Sequence, residues 1–478
     1  MLNRDTIAAI STGMSASGIG IVRISGEQAF EVIDRIFHGK EKLSGAKSHT
    51  IHYGFIMDGE DTADEVLVSV MRSPRTFTGE NTVEINCHGG MFVVKKVLEI
   101  VLENGARLAE PGEFTKRAFL NGRMDLSQAE AVMDVIHSQN SYALKSSVGQ
   151  LRGNVKRKIG GIREKILYHT AFIESALDDP EHISIDGYGE ELEQVLDELT
   201  AKLEKLIRSY DSGRIIKEGI QTVILGKPNV GKSSLLNILS GRERAIVTDI
   251  AGTTRDILEE QVQIQGLNLN VIDTAGIRDT HDMIEKMGVE KAKEYADQAD
   301  LIIYVADASR ELDENDMRIG ELIYGKKCII LLNKSDLNTV VSKTDLKNCL
   351  KEIFSKAGGM LPEEESAEGL VERIPLIDIS VKMEQGIREF GLVLQEMFLE
   401  GDISSNEEIH ITNLRQKEAL AAAYDALQRV RQSIRDQMPE DFYSIDLMDA
   451  YEALGSITGE TIGEDLVNEI FSKFCMGK

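Results

Sequence analysis

The sequence predicts a multidomain chain of α+β and α/β class, in which an α/β domain interrupts a helical one. Three observations predict it. A glycine-bounded loop, Gly226-Lys-Pro-Asn-Val-Gly-Lys-Ser233, joins the apolar run Thr222–Leu225 to the helical run Ser234–Leu239. Apolar strands alternate with helical stretches from about residue 217 to 400, the pattern of a doubly wound sheet. Amphipathic helical patterns lie on both sides of that stretch.

Size and charge set the outer limits. At 478 residues the chain has room for two or three domains. Apolar content of 42% and charged content of 28% are those of a globular protein in water. No apolar run approaches the roughly 20 residues that span a bilayer, so no membrane role is expected. The start, Met-Leu-Asn-Arg-Asp, lacks a secretory signal pattern. The cysteines Cys87, Cys328, Cys349 and Cys475 form no C-x-x-C pair. That speaks for a reducing, cytoplasmic compartment and against a zinc site or disulfide framework. The net charge of −26 repels RNA overall, so any RNA contact needs a local basic patch or a basic companion. Trp is absent and aromatics are few, which weakens base stacking as a theme.

In chain order, residues 1–120 read as an α+β domain. Ile19–Ile24, Glu65–Met71 and Thr82–Asn86 are strand-like, the last running into the turn Cys87-His-Gly-Gly90. Met91–Glu103 has helical periodicity with Val94, Val97, Leu98 and Val101 on one face. Residues 121–216 are strand-poor, and Leu192, Val195, Leu196, Leu199, Leu203 and Leu206 mark a long amphipathic helix. Residues 217–400 hold the strands Val223–Leu225, Leu269–Ile272, Leu301–Val305, Cys328–Leu332 and Ile374–Ile377. Residues 401–478 return to helical patterning, with Leu420, Tyr424, Leu427 and Ile434 on one stripe. The two helical halves are expected to pack together around the inserted α/β domain. Three independent domains in a row are the alternative, but each helical half would then have to bury its apolar stripe alone.

The loop at Gly226 has the spacing G-x-x-x-x-G-K-S of a phosphate cradle. Glycine lets backbone N–H groups point at a pyrophosphate, and the next helix turns its positive end to the same phosphates. Asn229, Val230, Gly231, Lys232, Ser233 and Ser234 are therefore nucleotide-binding candidates, with Lys232 reaching the β/γ-phosphates and Ser233 binding Mg²⁺. Four motifs follow in order. In the first, Thr248, Asp249, Ile250, Ala251, Gly252, Thr253 and Thr254 form a loop that can close on Mg²⁺ through Thr254 when a γ-phosphate is present. In the second, Asp273, Thr274, Ala275 and Gly276 end a strand. Asp273 would hold Mg²⁺ through water and the Gly276 N–H would touch the γ-phosphate. In the third, Asn333, Lys334 and Asp336 end another strand, and a carboxylate there accepts the two N–H donors of guanine that adenine lacks. In the fourth, Ser380, Val381 and Lys382 would back the base. Any one of these alone is an ordinary loop; in this order, at strand ends, they specify GTP. Ras-like enzymes place a water-orienting Gln where this chain has Ile277. Arg255 is an arginine-finger candidate by adjacency only.

The motifs of the whole chain resemble those of the tRNA modification GTPases called MnmE or TrmE. They are Asp5-Thr-Ile7, Gly20-Ile-Val-Arg-Ile-Ser-Gly26, Phe77-Thr-Gly-Glu80, His88-Gly-Gly90, Pro111-Gly-Glu-Phe114, Arg117-Ala-Phe-Leu-Asn121, the nucleotide motifs and the terminal Phe474-Cys-Met-Gly-Lys478. The resemblance implies activation by K⁺, held by Asn229 and by carbonyl oxygens near Thr248, Ile250 and Thr253, where its charge offsets that of the transition state. From the residues alone, Asn229 reads as a turn stabiliser. The resemblance also assigns the water-positioning acid to Glu285, otherwise an ordinary helix-surface carboxylate.

A folate-binding-like N-terminal domain is implied as well, taking a 5-formyltetrahydrofolate-type ligand, with 5,10-methylenetetrahydrofolate as a carbon donor. The matching positions are Arg23, Glu84, Arg123 and Lys478. A carboxylate pairs with a pterin N–H edge and cations meet the glutamate tail; Arg23 and Glu84 otherwise read as a solvated strand face. Some relatives carry Lys at the position of Arg123, and the usual Ile before the last Gly is Met476 here. Cys475 reads either as a reactive thiol or as a packed free cysteine. The expected partners are a second copy of the chain, tRNA, and an MnmG (GidA) flavoprotein in a heterotetramer. The expected product is an aminomethyl or carboxymethylaminomethyl group at C5 of the wobble uridine.

Two rival readings remain at this level: a regulatory GTPase of ribosome assembly without modification chemistry, and a folate-binding aminomethyltransferase with a GTPase regulator. The basic cluster Lys145, Arg152, Lys156, Arg157, Lys158, Arg163 and Lys165 reads first as the solvated side of a helix and second as a tRNA contact.

Overall fold

The computed structural model describes residues 5–185, 187–242, 260–272, 293–357, 366–399, 410–474 and 477. They fall into two compact units, one of residues 1–136, 148–203 and 418–478, the other of 137–147 and 204–417.

In the first unit, β1 (Ile7–Ile10), β2 (Ile19–Ser25), α1 (Ala29–Ile36), β3 (Phe37–Gly39), β4 (Thr50–Asp58), β5 (Asp61–Met71), β6 (Thr82–His88), α2 (Met91–Glu103) and β7 (Arg107–Leu108) come in that order. The strands form one sheet ordered β3-β4-β5-β6-β2-β1-β7. Alternation along the strands sends Val22, Ile24, Val66, Val68, Val70, Val83 and Ile85 into one core beneath α1 and α2. The intervening residues take the opposite face, and the register sets Arg23 directly across from Glu84. β6 continues through Cys87 and His88, so the expected turn begins at Gly89.

Helices follow: α3 (Glu113–Leu120), α4 (Leu126–Ile136), α5 (Ser141–Leu151), α6 (Asn154–Asp178) and α7 (Tyr188–Glu218). Within the first unit, Arg431 and Arg435 of the helix Leu414–Arg435 reach Asp197 (2.5 Å) and Glu193 (3.3 Å) of α7. The terminal helix Glu464–Ser472 and the residues after it bury Val467, Phe471 and Phe474 against Ala118, Met124, Leu126 and Val132. Helices from both ends of the chain thus share one core. Arg163 departs from the expected solvated cluster. It is buried, pairs with Glu460 at 2.5 Å and stacks over Tyr451.

The second unit holds β8 (Ile220–Leu225), α8 (Lys232–Arg242), β9 (Glu260–Ile264), β10 (Leu267–Val271), β11 (Leu301–Asp307), β12 (Cys328–Asn333) and β13 (Leu376–Asp378). The sheet order is β13-β12-β11-β8-β10-β9, parallel throughout except for the edge pair β10–β9. β11 and β12 are buried at every residue, as strands covered on both faces must be. Ile220 and Ile224 of β8 enter a core shared with α8 and the helix Ile387–Leu399; Val223 and Leu225 enter the core on the other face. The antiparallel strand β9 was not legible in the sequence, because Glu260, Gln261 and Gln263 hide its short period.

Candidate functional site

The phosphate loop joins β8 to α8, and its shape depends on residues that accept positive φ. Gly226, Asn229 and Gly231 have φ of 152°, 63° and 108°. A Cβ on Gly231 would lie 2.3 Å from the Asn333 amide nitrogen, so the cradle has no space for a side chain there. Lys232 opens α8 and donates to the carbonyls of Gly226 and of Lys227, the latter at 2.8 Å. Those are the acceptors its ammonium would exchange for phosphate oxygens. Lys227, the loop's other cation, is held elsewhere: its Nζ lies 2.6 Å from the buried Asp316 and 3.1 Å from Asp313. Val230 is buried in the core, and Ser233 and Ser234 occupy the first turn of α8.

The base motifs lie at the ends of β12 and β13. The Asn333 side chain donates to the Val230 carbonyl at 2.6 Å and accepts from the Val381 N–H at 3.0 Å. One buried amide therefore ties the phosphate loop to both base-binding segments. Lys334 takes φ +64° and its Nζ meets Asp307 at 2.6 Å. Burial pushes the Asp307 carboxyl up, but Lys334 and Ser309 outweigh it and hold it below its ordinary value. Asp336 is exposed; the Ser380 hydroxyl donates to it at 2.6 Å and lowers its pKa. The carboxylate is thus kept charged and oriented, as recognition of a guanine N–H edge requires. Lys382 is exposed beside this segment. Asp307 was missed in the sequence; its only signal was its place at the end of an apolar, strand-like run. The candidates Thr248, Asp249, Ile250, Ala251, Gly252, Thr253, Thr254, Asp273, Thr274, Ala275, Gly276 and Glu285 lie outside the described residues, as do Arg255 and Ile277.

The second site stands on the open face of the N-terminal sheet. Arg23 pairs with Glu84 at 2.8 Å. Its guanidinium lies 5.5 Å from the centre of the Phe77 ring and 5.6 Å from that of Phe114. It also donates to the carbonyl of Gly477 at 3.3 Å, and Ser11 donates to the same oxygen at 3.1 Å. Gly477 has φ +86°, and a Cβ there would lie 2.2 Å from the Ile10 carbonyl, so the C-terminal segment fits against β1 only as glycine. Arg123 lines a neighbouring cavity of about 310 Å³ with Phe77, Met124, Gln128, Val132 and Leu151. Phe77 is common to both, which brings Arg23, Glu84 and Arg123 into one region. Cys475 and Lys478 lie outside the described residues. An apolar wall with a few charged groups suits a flat, amphipathic ligand with an anionic tail.

An ionic network holds this region from behind. Arg117, buried, binds Asp5 at 2.6 Å, Glu113 at 2.9 Å and Glu80 at 3.3 Å; Arg107 adds Asp5 and Glu113, each at 2.7 Å. Burial raises the carboxyls of Asp5 and Glu113, and the two arginines outweigh it, leaving both below their ordinary values. The network joins Glu80, Glu113 and Arg117, which stand in the same segments as Phe77 and Phe114, the two rings beside the Arg23 guanidinium. The roles of Phe77 and Phe114 were not read from the sequence. The described cysteines are poor nucleophiles, since burial pushes Cys87 to about 11, Cys328 to about 12, and Cys349 upward. Among the described residues no group of three or more His, Cys, Asp and Glu could hold a metal ion, and no helix is long and apolar enough to cross a membrane.

Comparison with known proteins follows the same division. A family model described as the GTP-binding protein TrmE N-terminus matches residues 6–123, and one described as the MnmE helical domain matches residues 126–475. Over 480 residues, covering 100% of both chains, the sequence is 55% identical to the tRNA modification GTPase MnmE of Lachnoclostridium phytofermentans. It is 50% identical, again over 100% of both chains, to the protein of that name from Acetivibrio thermocellus. The one from Alkaliphilus oremlandii is 46% identical over 99% of each chain.

Proposed function

The chain belongs to the MnmE family of tRNA modification GTPases, and from that premise we propose how its two sites divide the work. It binds and hydrolyses GTP and serves tRNA modification. In our reading the α/β domain of residues 217–400 is inserted between helical halves 121–216 and 401–478, behind an N-terminal domain of residues 1–120.

Asn229 to Ser234 grip the phosphates, Asp336 selects guanine, and Ser380 to Lys382 back the base. Ser233 and Thr254 would hold Mg²⁺; Asn229, with carbonyl oxygens near Thr248, Ile250 and Thr253, would hold K⁺. Such cations supply positive charge beside the phosphates when bound. The positive-φ position of Asn229 at the loop's rim is compatible with that role. Glu285 positions the attacking water, a task Ile277 is chemically unable to perform.

The N-terminal site binds a 5-formyltetrahydrofolate-type ligand through Arg23, Glu84, Arg123 and Lys478, and 5,10-methylenetetrahydrofolate would bring the carbon. The partner is an MnmG-type flavoprotein, met by a homodimer of this chain in the cytoplasm. The pair installs an aminomethyl or carboxymethylaminomethyl group at C5 of the wobble uridine. Cys475 is close in sequence to the site and is the remaining nucleophile candidate. The observation that carries the reading is the Gly477 carbonyl on Arg23, beside Glu84, because a pure GTPase switch has no need of that closure. Mass spectrometry of wobble nucleosides from a deletion strain tests it. Loss of the modified uridine, restored by the wild-type chain and not by Arg23→Gln, is expected; an unchanged nucleoside profile overturns it.

A further inference from the structure

Between Asp134 and Glu164 the chain has no acidic side chain, although acids are 80 of its 478 residues. The same stretch carries Lys145, Arg152, Lys156, Arg157, Lys158 and Arg163. The structure sorts them. Arg163 is buried on Glu460, and Arg157 donates to Asn154 within its own helix. Arg152, Lys156 and Lys158 are exposed; Lys156 lies near enough to Glu460 to help Arg163 hold that carboxyl below its ordinary value, and among the described residues none of the three forms a salt bridge or side-chain hydrogen bond. Their placement is locally unfavourable. Lys156, Arg157 and Lys158 crowd the start of α6, where the helix has its own positive end and no acid in the first turn.

Past the buried Ile159 comes an independent oddity. Gly160 and Gly161 sit inside α6, exposed, with nothing within 4 Å of where a Cβ would stand. Paired glycines weaken a helix interior, and here no packed neighbour among the described residues requires them. A bare stretch of helix backbone admits the close approach of another backbone. Beside four cations, that other backbone is a polyanion.

We propose that the start of α6 and the turn before it, with Arg152, Lys156, Arg157, Lys158, Gly160 and Gly161, dock the phosphodiester backbone of tRNA. With a net charge of −26, direct RNA contact by this chain needs a place where the local sign is reversed, and this stretch reverses it. The proposal rests on the tRNA-modifying reading and adds the surface that reading lacks. The contacts are to phosphate, so they position the RNA and do not select its sequence.

The test uses the full chain carrying Arg152→Gln, Lys156→Gln and Lys158→Gln together, with fluorescent tRNA titrated at 50 to 200 mM KCl. Three lost phosphate contacts should make the slope of log affinity against log salt shallower by about 2 to 3 and weaken binding about 10- to 100-fold. GTP hydrolysis without tRNA should be unchanged, which separates failure of this surface from failure of the GTPase. Gly160→Ala with Gly161→Ala should raise the melting temperature and yet weaken tRNA binding; a purely structural role predicts stabilisation alone. An unchanged salt slope in the triple variant overturns the proposal, as does failure of the wild-type chain to bind tRNA. If the variant keeps tRNA but loses capture of the purified flavoprotein, the surface belongs to an acidic protein partner and the proposal is wrong.

Discussion

The loop at Gly226–Ser233 and the Arg23–Glu84 pair differ in how much of the chain each needs. The loop is one contiguous segment between a strand and a helix, and its binding groups are mostly backbone N–H. Its supports, Asn333 and Val381, stand at neighbouring strand ends of the same sheet. The Arg23 region draws on β2, β6, the segment carrying Phe77, the start of α3 and the last residues of the chain. The first arrangement survives changes elsewhere as long as local conformation holds. The second needs every contributing segment docked at once. A local site concentrates risk in few residues, and a distributed one spreads it over the fold.

The comparison breaks most sharply at Asp336. Asp336→Asn should cost on the order of 10³-fold in GTP affinity and relax selectivity toward xanthine nucleotides, since a carboxylate's two acceptors are replaced by one acceptor and one donor. Binding of 5-formyltetrahydrofolate at the proposed N-terminal site should be untouched. Nucleotide titrations decide it, and an unaltered guanine preference would mean that the base sits elsewhere.

A smaller effect tests how the local site is completed. With Ile277 in place of a water-orienting Gln, turnover should depend on a monovalent cation, so K⁺ should exceed Na⁺ by roughly tenfold or more at equal ionic strength. Equal steady-state rates in the two salts would remove K⁺ from the account.

Gly477→Ala attacks the distributed site alone. A Cβ 2.2 Å from the Ile10 carbonyl, at φ +86°, must displace the terminal segment. Backbone strain of about 1–3 kcal/mol predicts about a 5- to 150-fold loss of 5-formyltetrahydrofolate affinity. GTP turnover should stay as it was. Calorimetric titration of each ligand reads both halves, and an equal loss of GTP binding would contradict the division of sites.

The gentlest probe is acid. Asp5 and Glu113 have folded pKa values below their ordinary ones, so their ion pairs stabilise the fold above the ordinary carboxylate range. That stabilisation is lost as pH falls through the ordinary values and then the lowered ones. Between pH 7 and pH 3.5 the loss should be no more than about 1 kcal/mol per pair at this degree of exposure. Hydrogen-exchange protection of the α3 amides, corrected for intrinsic rates, should fall accordingly; constant protection would show that the network contributes packing and not charge.

Legibility followed the same divide. The strands of the nucleotide-binding sheet were readable because both-faced burial makes them continuous apolar runs, as in β11 and β12. The edge strand β9 was not, since its polar residues mask the alternation. Lys334 and Asp336 could be named from one short motif, whereas Asp307, which holds the Lys334 ammonium, is an unremarkable Asp in the chain. Arg23 and Glu84 could be matched to a family, but nothing in their spacing announced that register would set them opposite one another.

Left to itself, the sequence determined what depends on neighbours along the chain: helix and strand periods, the glycine positions of the phosphate loop, and the order of the nucleotide motifs. Tertiary structure alone decided that Gly477 closes on Arg23, that Phe77 and Phe114 lie beside it, and that Arg163 is buried while Arg152 and Lys158 stay exposed. The physical reason is range. Backbone geometry and amphipathic period are fixed within a few residues, but an ion pair or a close approach between segments exists only after the core has brought them together.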